Sequence, residues 1–281
     1  MSIDLPSDSP RATALRAALA SAPDGERHLF DGATQIARRT GVLAHDVLVV
    51  LGSGLVDCLK PWGEPRARFP LGDLVGVHEP VADGHGTEVL SFDQGGLDVL
   101  VYTGRTHLYE GLGSGPVCLP AQIAAACGVR AAVLTNANGC LRDWSLGDVV
   151  TIKDHMNFSG ASPFSGPVFT DVSGVWDAGL SEVLSAHTQR SGVYALMRGP
   201  EYQTIAESRF LAGVGADVVG MSTVLEAIAL HQAGVQVCGM SVVSDLSFAE
   251  GDTDPSAVVE AAARAGETVR AGVEAVLKTL A

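Results

Sequence analysis

Residues 46–55 read DVLVVLGSGL. The run from Val47 to Leu51 is apolar and largely β-branched with no polar alternation, the mark of a strand buried on both faces, as in a helix-covered sheet. It opens directly into Gly52-Ser53-Gly54-Leu55. Successive backbone N–H groups in such a glycine turn form an anion-binding nest, to which the Ser53 hydroxyl adds a donor. The same glycines could serve only the geometry of the turn. A dinucleotide fingerprint would continue as GxGxxG, but Asp57 holds the third glycine position, which weakens that reading.

Two further strand ends repeat the pattern. Thr87–Phe92, the turn Asp93–Gly96 and Leu97–Tyr102 read as a hairpin. Its second strand runs into VLVYTGRTHLYEG (99–111), where apolar residues give way to Arg105, His107, Tyr109 and Glu110. Arg105 offers a planar fork suited to an oxyanion, and His107 and Tyr109 face the same way if the chain stays extended. A surface turn with a solvated arginine fits this stretch equally well. Arg130–Thr135 is another buried strand and is expected to end at Asn136-Ala137-Asn138-Gly139. Ligands in open α/β sheets lie at such strand ends, so the repetition says more than any single turn.

Around this centre, residues 1–10 are expected to form a loose tail and Arg11–Ala20 an Ala-rich helix. Asp31 reads as the N-cap of a helix reaching Arg39 and ended by Gly41. Residues 60–84 read as a long Pro/Gly-rich loop, and Pro116–Cys127 as an amphipathic helix. Strands are expected at Asp148–Ile152, Val193–Met197, Ala216–Gly220 and Gln236–Val243, and helices at Val175–Arg190, Ile205–Leu211 and from Thr223 through Gln232. Asp254–Leu280 reads as one long C-terminal helix. The loop from His155 to Phe169 carries three phenylalanines, which either pin it to the core or cover an aromatic ligand or a neighbouring subunit. The alternation of strands and helices predicts an α/β fold: a central mixed, mostly parallel sheet flanked by helices, in one domain spanning residues 1–281.

The formal net charge of −14 excludes a basic face for nucleic acid or anionic membrane. Cys58, Cys118, Cys127, Cys140 and Cys238 are odd in number, widely spaced and set among apolar residues, so they read as core residues rather than disulfides or metal ligands. The N-terminus carries acidic residues and prolines where a secretory signal would be basic and then apolar, and no run is long enough to span a membrane, which leads to the expectation of a cytoplasmic enzyme.

The motifs GSGL (52–55), GH (84–85), GRTHLYEG (104–111), TNANG (135–139), GPEYQT (199–204) and VGMST (219–223), in this order and at these separations, resemble the trimeric purine nucleoside phosphorylases, with the methylthioadenosine phosphorylases as close relatives. The resemblance covers the chain from about residue 30. It implies the phosphorylase/uridine phosphorylase type of fold, a homotrimer, no metal or cofactor, and phosphorolysis of a nucleoside to free base and pentose 1-phosphate, with inorganic phosphate as co-substrate. Position by position it implies that Ser53, His85, Arg105, His107, the N–H of Ala137 and Ser222 hold phosphate, and that Tyr109 and Met221 contact the ribose. It likewise implies that Tyr202, Gln203 and Asp245 contact the purine, that Phe169 reaches a purine site across a subunit boundary, and that His85 and Asp245 are the catalytic pair.

Three positions depart from the family pattern. Gln203 stands where 6-oxopurine enzymes usually carry Glu, Asp245 where they carry Asn, and Pro255 is the nearest match to a His toward the ribose 5′ end. The base preference therefore cannot be copied from the family, and methylthioadenosine phosphorolysis is the alternative activity. A nucleotide- or NAD-binding protein using GSGL, or an inactive family member, are more distant alternatives; the first leaves the later motifs unexplained.

Overall fold

The structure, a computed structural model, describes residues 27–81, 86–249 and 254–281. The tail at 1–10 and the helix at Arg11–Ala20 lie outside these residues. The strands are β1 (Val47–Val50), β2 (Ala67–Pro70), β3 (Glu88–Gln94), β4 (Leu97–Tyr102), β5 (Ala131–Cys140), β6 (Val149–Asn157), β7 (Arg190–Leu196), β8 (Val218–Gly220) and β9 (Gln236–Leu246). They form one sheet in the order β2-β3-β4-β1-β5-β8-β7-β6-β9. Because β5 also pairs with β9, strands β5, β8, β7, β6 and β9 close into a ring, from which β1 to β4 extend as an open wing. The sheet is mixed: β1 is parallel to β4 and β5, β5 to β9, and β7 to β6 and β8, while the other pairs are antiparallel.

Both faces of β1 are buried, as its sequence demands. Leu48 and Val50 join a core with Ile36 of α1 (Arg27–Thr40), Ile123 of α2 (Ser114–Ala126) and Leu230 of α5 (Val224–Gln232). Val47 and Val49 face the opposite core, with Leu184 of α3 (Ala178–Ser185), Ala262 of α6 (Pro255–Arg264) and Val269 of α7 (Gly266–Leu280). The remaining helix, α4 (Ile205–Gly213), starts with a capping box in which Thr204 and Glu207 satisfy each other's backbone N–H groups.

Several elements differ from the sequence expectation. Asp31 is not an N-cap, because α1 begins at Arg27 and places it in the helix interior. The stretch 60–84 contains a short strand, β2, and two 3₁₀ turns. Helix α2 is buried nearly all round and even accommodates Pro120, so it is a core helix rather than an amphipathic one. Strand β5 does not stop at Thr135 but runs through Asn136-Ala137-Asn138-Gly139, and β6 and β9 likewise run beyond their expected ends. The expected helix at Val175–Arg190 is confined to α3, with Asp177 as its N-cap. The long C-terminal helix is two helices, broken at Ala265, with Asp254 capping the first.

The turn after β1 is tightly enclosed. Gly54 has φ +77°, and a Cβ there would strike the Val259 carbonyl and sit 2.9 Å from Cβ of Ala262. Only glycine combines that backbone with so close an approach of α6. Gly54→Ala is expected to cost about 2–4 kcal/mol and to lower Tm by roughly 5–10 °C. Gly115→Ala, where a Cβ meets nothing within 4 Å, is the neutral control in the same thermal melts.

Candidate active site

The carboxyl ends of β1, β4 and β8 and the far halves of β5 and β9 converge on a cavity of about 380 Å³. One end is built around Arg105, which is 2% exposed and so not the solvated arginine of a surface turn. Its Nε donates to Glu226 Oε2 at 2.8 Å and its Nη1 to the Thr135 carbonyl at 2.6 Å. Its Nη2 has no partner among the described residues. A buried guanidinium nitrogen without an acceptor is costly unless a ligand supplies one. Ser53, Ala137 and Ser222 line the same cavity, so two serine hydroxyls share it with the arginine as groups able to donate to an anion.

His107 follows Arg105 into the cavity. Its backbone N–H donates to Glu110 Oε1 at 2.6 Å, and its Nδ1 lies 3.3 Å from the same oxygen. Burial pulls the His107 pKa below 6.5, outweighing its hydrogen bond to Glu110, and the Arg105 charge adds to the depression. For Glu110, burial pushes the carboxyl up, but the two bonds from His107 outweigh it and hold the group below 4.5. His107 stacks on Tyr109, with ring centroids 4.7 Å apart and planes inclined by 12°.

Met221 meets Tyr109 over Gly199, which has φ +70°. A Cβ at Gly199 would collide with the Met221 sulfur and lie 3.1 Å from the Tyr109 ring. The glycine lets two side chains, both lining the cavity, close over one space. Tyr202, Gln203 and Asp245 line the same cavity, and Asp245 pairs with Gly139, four residues further along β5 than the Thr135 that holds Arg105. Burial raises the Tyr202 pKa, and the Asp245 and Asp254 carboxylates raise it further, so this part of the cavity is rich in acceptors and in negative charge.

Through the cavity wall runs a chain of buried hydrogen bonds. Asn138 Nδ2 donates to Ser241 Oγ at 2.7 Å, Ser241 Oγ donates to Asn136 Oδ1, and Asn136 Nδ2 donates to Thr223 Oγ1 at 2.9 Å. Thr223 Oγ1 lies 3.1 Å from the Ser222 hydroxyl. Thr223 has φ 76°, a left-handed backbone that costs a β-branched residue of order 1–3 kcal/mol. Asn136 holds it there, at the turn that presents Ser222.

Most of the residues singled out in the sequence thus meet in one cavity. His85 lies outside the described residues. Phe169 does not reach the cavity of its own chain; it is 94% exposed, which also excludes it as a pin to the core. Of the other loop phenylalanines, only Phe164 packs on the core, while Phe158 is exposed. Sequence reading placed Asn136 and Asn138 at a ligand-facing strand end without a role of their own, and missed Glu226. The one signal for Glu226 was a lone acid in the apolar helix VLEAIAL (224–230), a setting where burial requires a partner.

The phosphorylase superfamily model matches residues 29–278. The chain is 46% identical over 215 residues to the purine nucleoside phosphorylase of Mycobacterium leprae, covering 75% of this chain and 80% of that one. It belongs to the purine nucleoside phosphorylase family. It is also 39% identical over 251 residues to the purine nucleoside phosphorylase of Cellulomonas sp, covering 85% of this chain and 88% of the relative. Among solved structures, the Schistosoma mansoni purine nucleoside phosphorylase in complex with adenosine superposes with a TM-score of 0.83 at 26% identity, over 91% of this chain and 98% of that one. The schistosome enzyme in complex with hypoxanthine gives 0.79 at 25% identity, over 91% and 98%. As a member of the family, the chain has the expected fold: an α/β protein with a mixed sheet flanked by helices.

The pair at His107 and Glu110 makes a prediction about stability in this phosphorylase without ligand. A histidine whose pKa is lowered by folding binds fewer protons folded than unfolded below pH 6.5, so its contribution is present above that pH and lost as pH falls through it. Glu110, held below 4.5, loses its contribution only at more acid pH. The urea midpoint is therefore expected to fall between about pH 7.5 and pH 5.5, and His107→Gln, neutral throughout, to show a flatter dependence over that interval.

Proposed function

We propose that the protein is a pentosyltransferase that cleaves purine nucleosides with phosphate, releasing the purine and ribose or deoxyribose 1-phosphate. The observation that carries this is the buried Arg105 with an unpartnered Nη2, lining one cavity together with Tyr202, Gln203 and Asp245. Phosphate is assigned to Ser53, His85, Arg105, His107, the Ala137 N–H and Ser222. The ribose is assigned to Tyr109 and Met221, and the purine to Tyr202, Gln203 and Asp245. An oxygen of phosphate bonds to C1′ as the bond from C1′ to N9 breaks, and the electron pair leaves with the base. The sugar is oxocarbenium-like between two anions, so positioning and electrostatics carry the rate and no protein nucleophile is needed. His85 and Arg105 hold the phosphate, and Asp245 supplies or shares a proton at purine N7.

We assign no metal or cofactor, take residues 1–281 as one domain, and place the protein in the cytoplasm. The free state of all five cysteines supports that compartment, and no described helix is long and apolar enough to cross a membrane. A homotrimer is supported by exposed aromatic residues: Phe169, half-exposed Tyr202 at the cavity, and the exposed pair Phe158 and Phe210, whose ring centroids are 6.2 Å apart. Phe169 is assigned to a neighbour's purine site.

The test is release of base from inosine, adenosine and methylthioadenosine with and without phosphate. Cleavage should require phosphate. Arg105→Ala should lower kcat/KM for phosphate by about 10²–10³-fold, since a charge-assisted donor to the anion is lost. A variant with native phosphate kinetics would refute the assignment.

The base end supports a preference for 6-aminopurines. A 6-oxopurine offers an acceptor at O6 and a donor at N1, whereas a 6-aminopurine offers the reverse. A carboxyl carries at most one proton, so Asp245 that donates it to N7 sets its other oxygen against O6, acceptor against acceptor, at about 1–3 kcal/mol per unpaired group; against a 6-amino group that oxygen accepts a bond while the proton serves N7. Gln203 turns its amide to suit either edge. Pro255 opens α6 with Val258 one turn on lining the cavity, an apolar wall that favours the alternative of a 5′-methylthio substrate. Adenosine or a 5′-modified adenosine should be cleaved at least as efficiently as inosine, and Asp245→Asn should shift the ratio of kcat/KM toward inosine by roughly ten-fold or more. A native enzyme that strongly prefers inosine or guanosine defeats this preference.

A further inference from the structure

We infer that Glu226 is the positioning residue of the phosphate subsite, acting through Arg105; the inference rests on the assignment of phosphate to Arg105. Glu226 lies on α5 among apolar residues and is 3% exposed. A carboxylate so deeply buried persists because it is paired. Its partner is Nε of Arg105 at 2.8 Å, while the Thr135 carbonyl takes Nη1 at 2.6 Å. Acceptors on two different nitrogens of a planar guanidinium fix its rotation as well as its place. Nη2 is then the corner left without a protein partner among the described residues, on a side chain that lines the cavity, and we assign it to the anion. Helix α5 also begins two residues after Ser222, so one segment sets both the arginine and a hydroxyl of the same subsite.

The pairing has a second effect. Glu226 puts a negative charge beside the cation that is to bind an anion, so it spends some attraction on orientation. Glutamine keeps the shape and an acceptor for Nε–H but removes that charge. Orientation and charge are therefore separable by substitution.

The experiment measures kcat and KM for phosphate and for nucleoside, together with the rise in Tm at saturating phosphate, in the native enzyme, Glu226→Ala and Glu226→Gln. Glu226→Ala should raise the phosphate KM about ten- to a hundred-fold and diminish the phosphate-induced rise in Tm, with the nucleoside KM within about three-fold of native. Glu226→Gln should restore the phosphate KM to the native value or below it. Where Glu226→Ala does not fold, Glu226→Asp, which withdraws the carboxylate from Nε by one methylene, replaces it with the same expectation. A native phosphate KM in the Ala or Asp variant overturns the inference. So does a loss shared equally by phosphate and nucleoside KM, or one that Gln fails to restore. If the native enzyme releases base without regard to phosphate, the assignment of the subsite fails instead.

Discussion

Thr135 is the knot on which the site depends. Its hydroxyl donates to the Val50 carbonyl at 3.0 Å and accepts from the Gly52 N–H at 3.0 Å, while its carbonyl receives Arg105. One fully buried residue thus fixes the end of β1, the start of the glycine turn and the guanidinium of the neighbouring strand's loop. Each bond is worth only about 1 kcal/mol net, yet leaving any of these buried groups unpaired would cost more. The order around Arg105 arises because three chain segments, distant in sequence, must satisfy one another's buried polar groups.

The same economy explains Thr223. Its unfavourable backbone persists because Asn136 accepts no other arrangement of its amide: one end is taken by Ser241 and the other donates to the threonine hydroxyl. Strain at the turn bearing Ser222 is thereby held by a network anchored in two long strands. Such a site is organised before substrate arrives, which is what a reaction governed by positioning requires.

The parts legible in the sequence are those whose causes are local. The run at β1 declares burial on both faces, and Arg105, His107 and Tyr109 declare a site because three polar residues end an apolar strand. What could not be read depends on distant partners. Asn136 and Asn138 have the composition of a turn, and the backbone ladder with Ser241 and Val243 of β9, far along the chain, makes them strand residues. Glu226 lies 121 residues from the arginine it pairs with. The break between α6 and α7 falls at Ala265, directly before Gly266; one glycine of low helix propensity inside a long Ala-rich run is too weak a local signal to divide it on sequence alone. His85 lies outside the described residues, and Phe169, 94% exposed, lies away from the cavity of its own chain.

The ring of strands has a consequence for behaviour at high concentration. Closing β5, β8, β7, β6 and β9 on one another leaves that half of the sheet with no unpaired rim, so the outer boundary among the described residues is β2. This strand has four residues, ends in Pro70, is preceded by Arg66 and contains Arg68, which are engaged with Asp98 and Glu88 at 2.6 and 2.8 Å. Shortness, a missing amide donor and fixed charge are the features by which natural sheets refuse an added strand. A protein with so much β-branched sequence is in this way kept from templating its own aggregation.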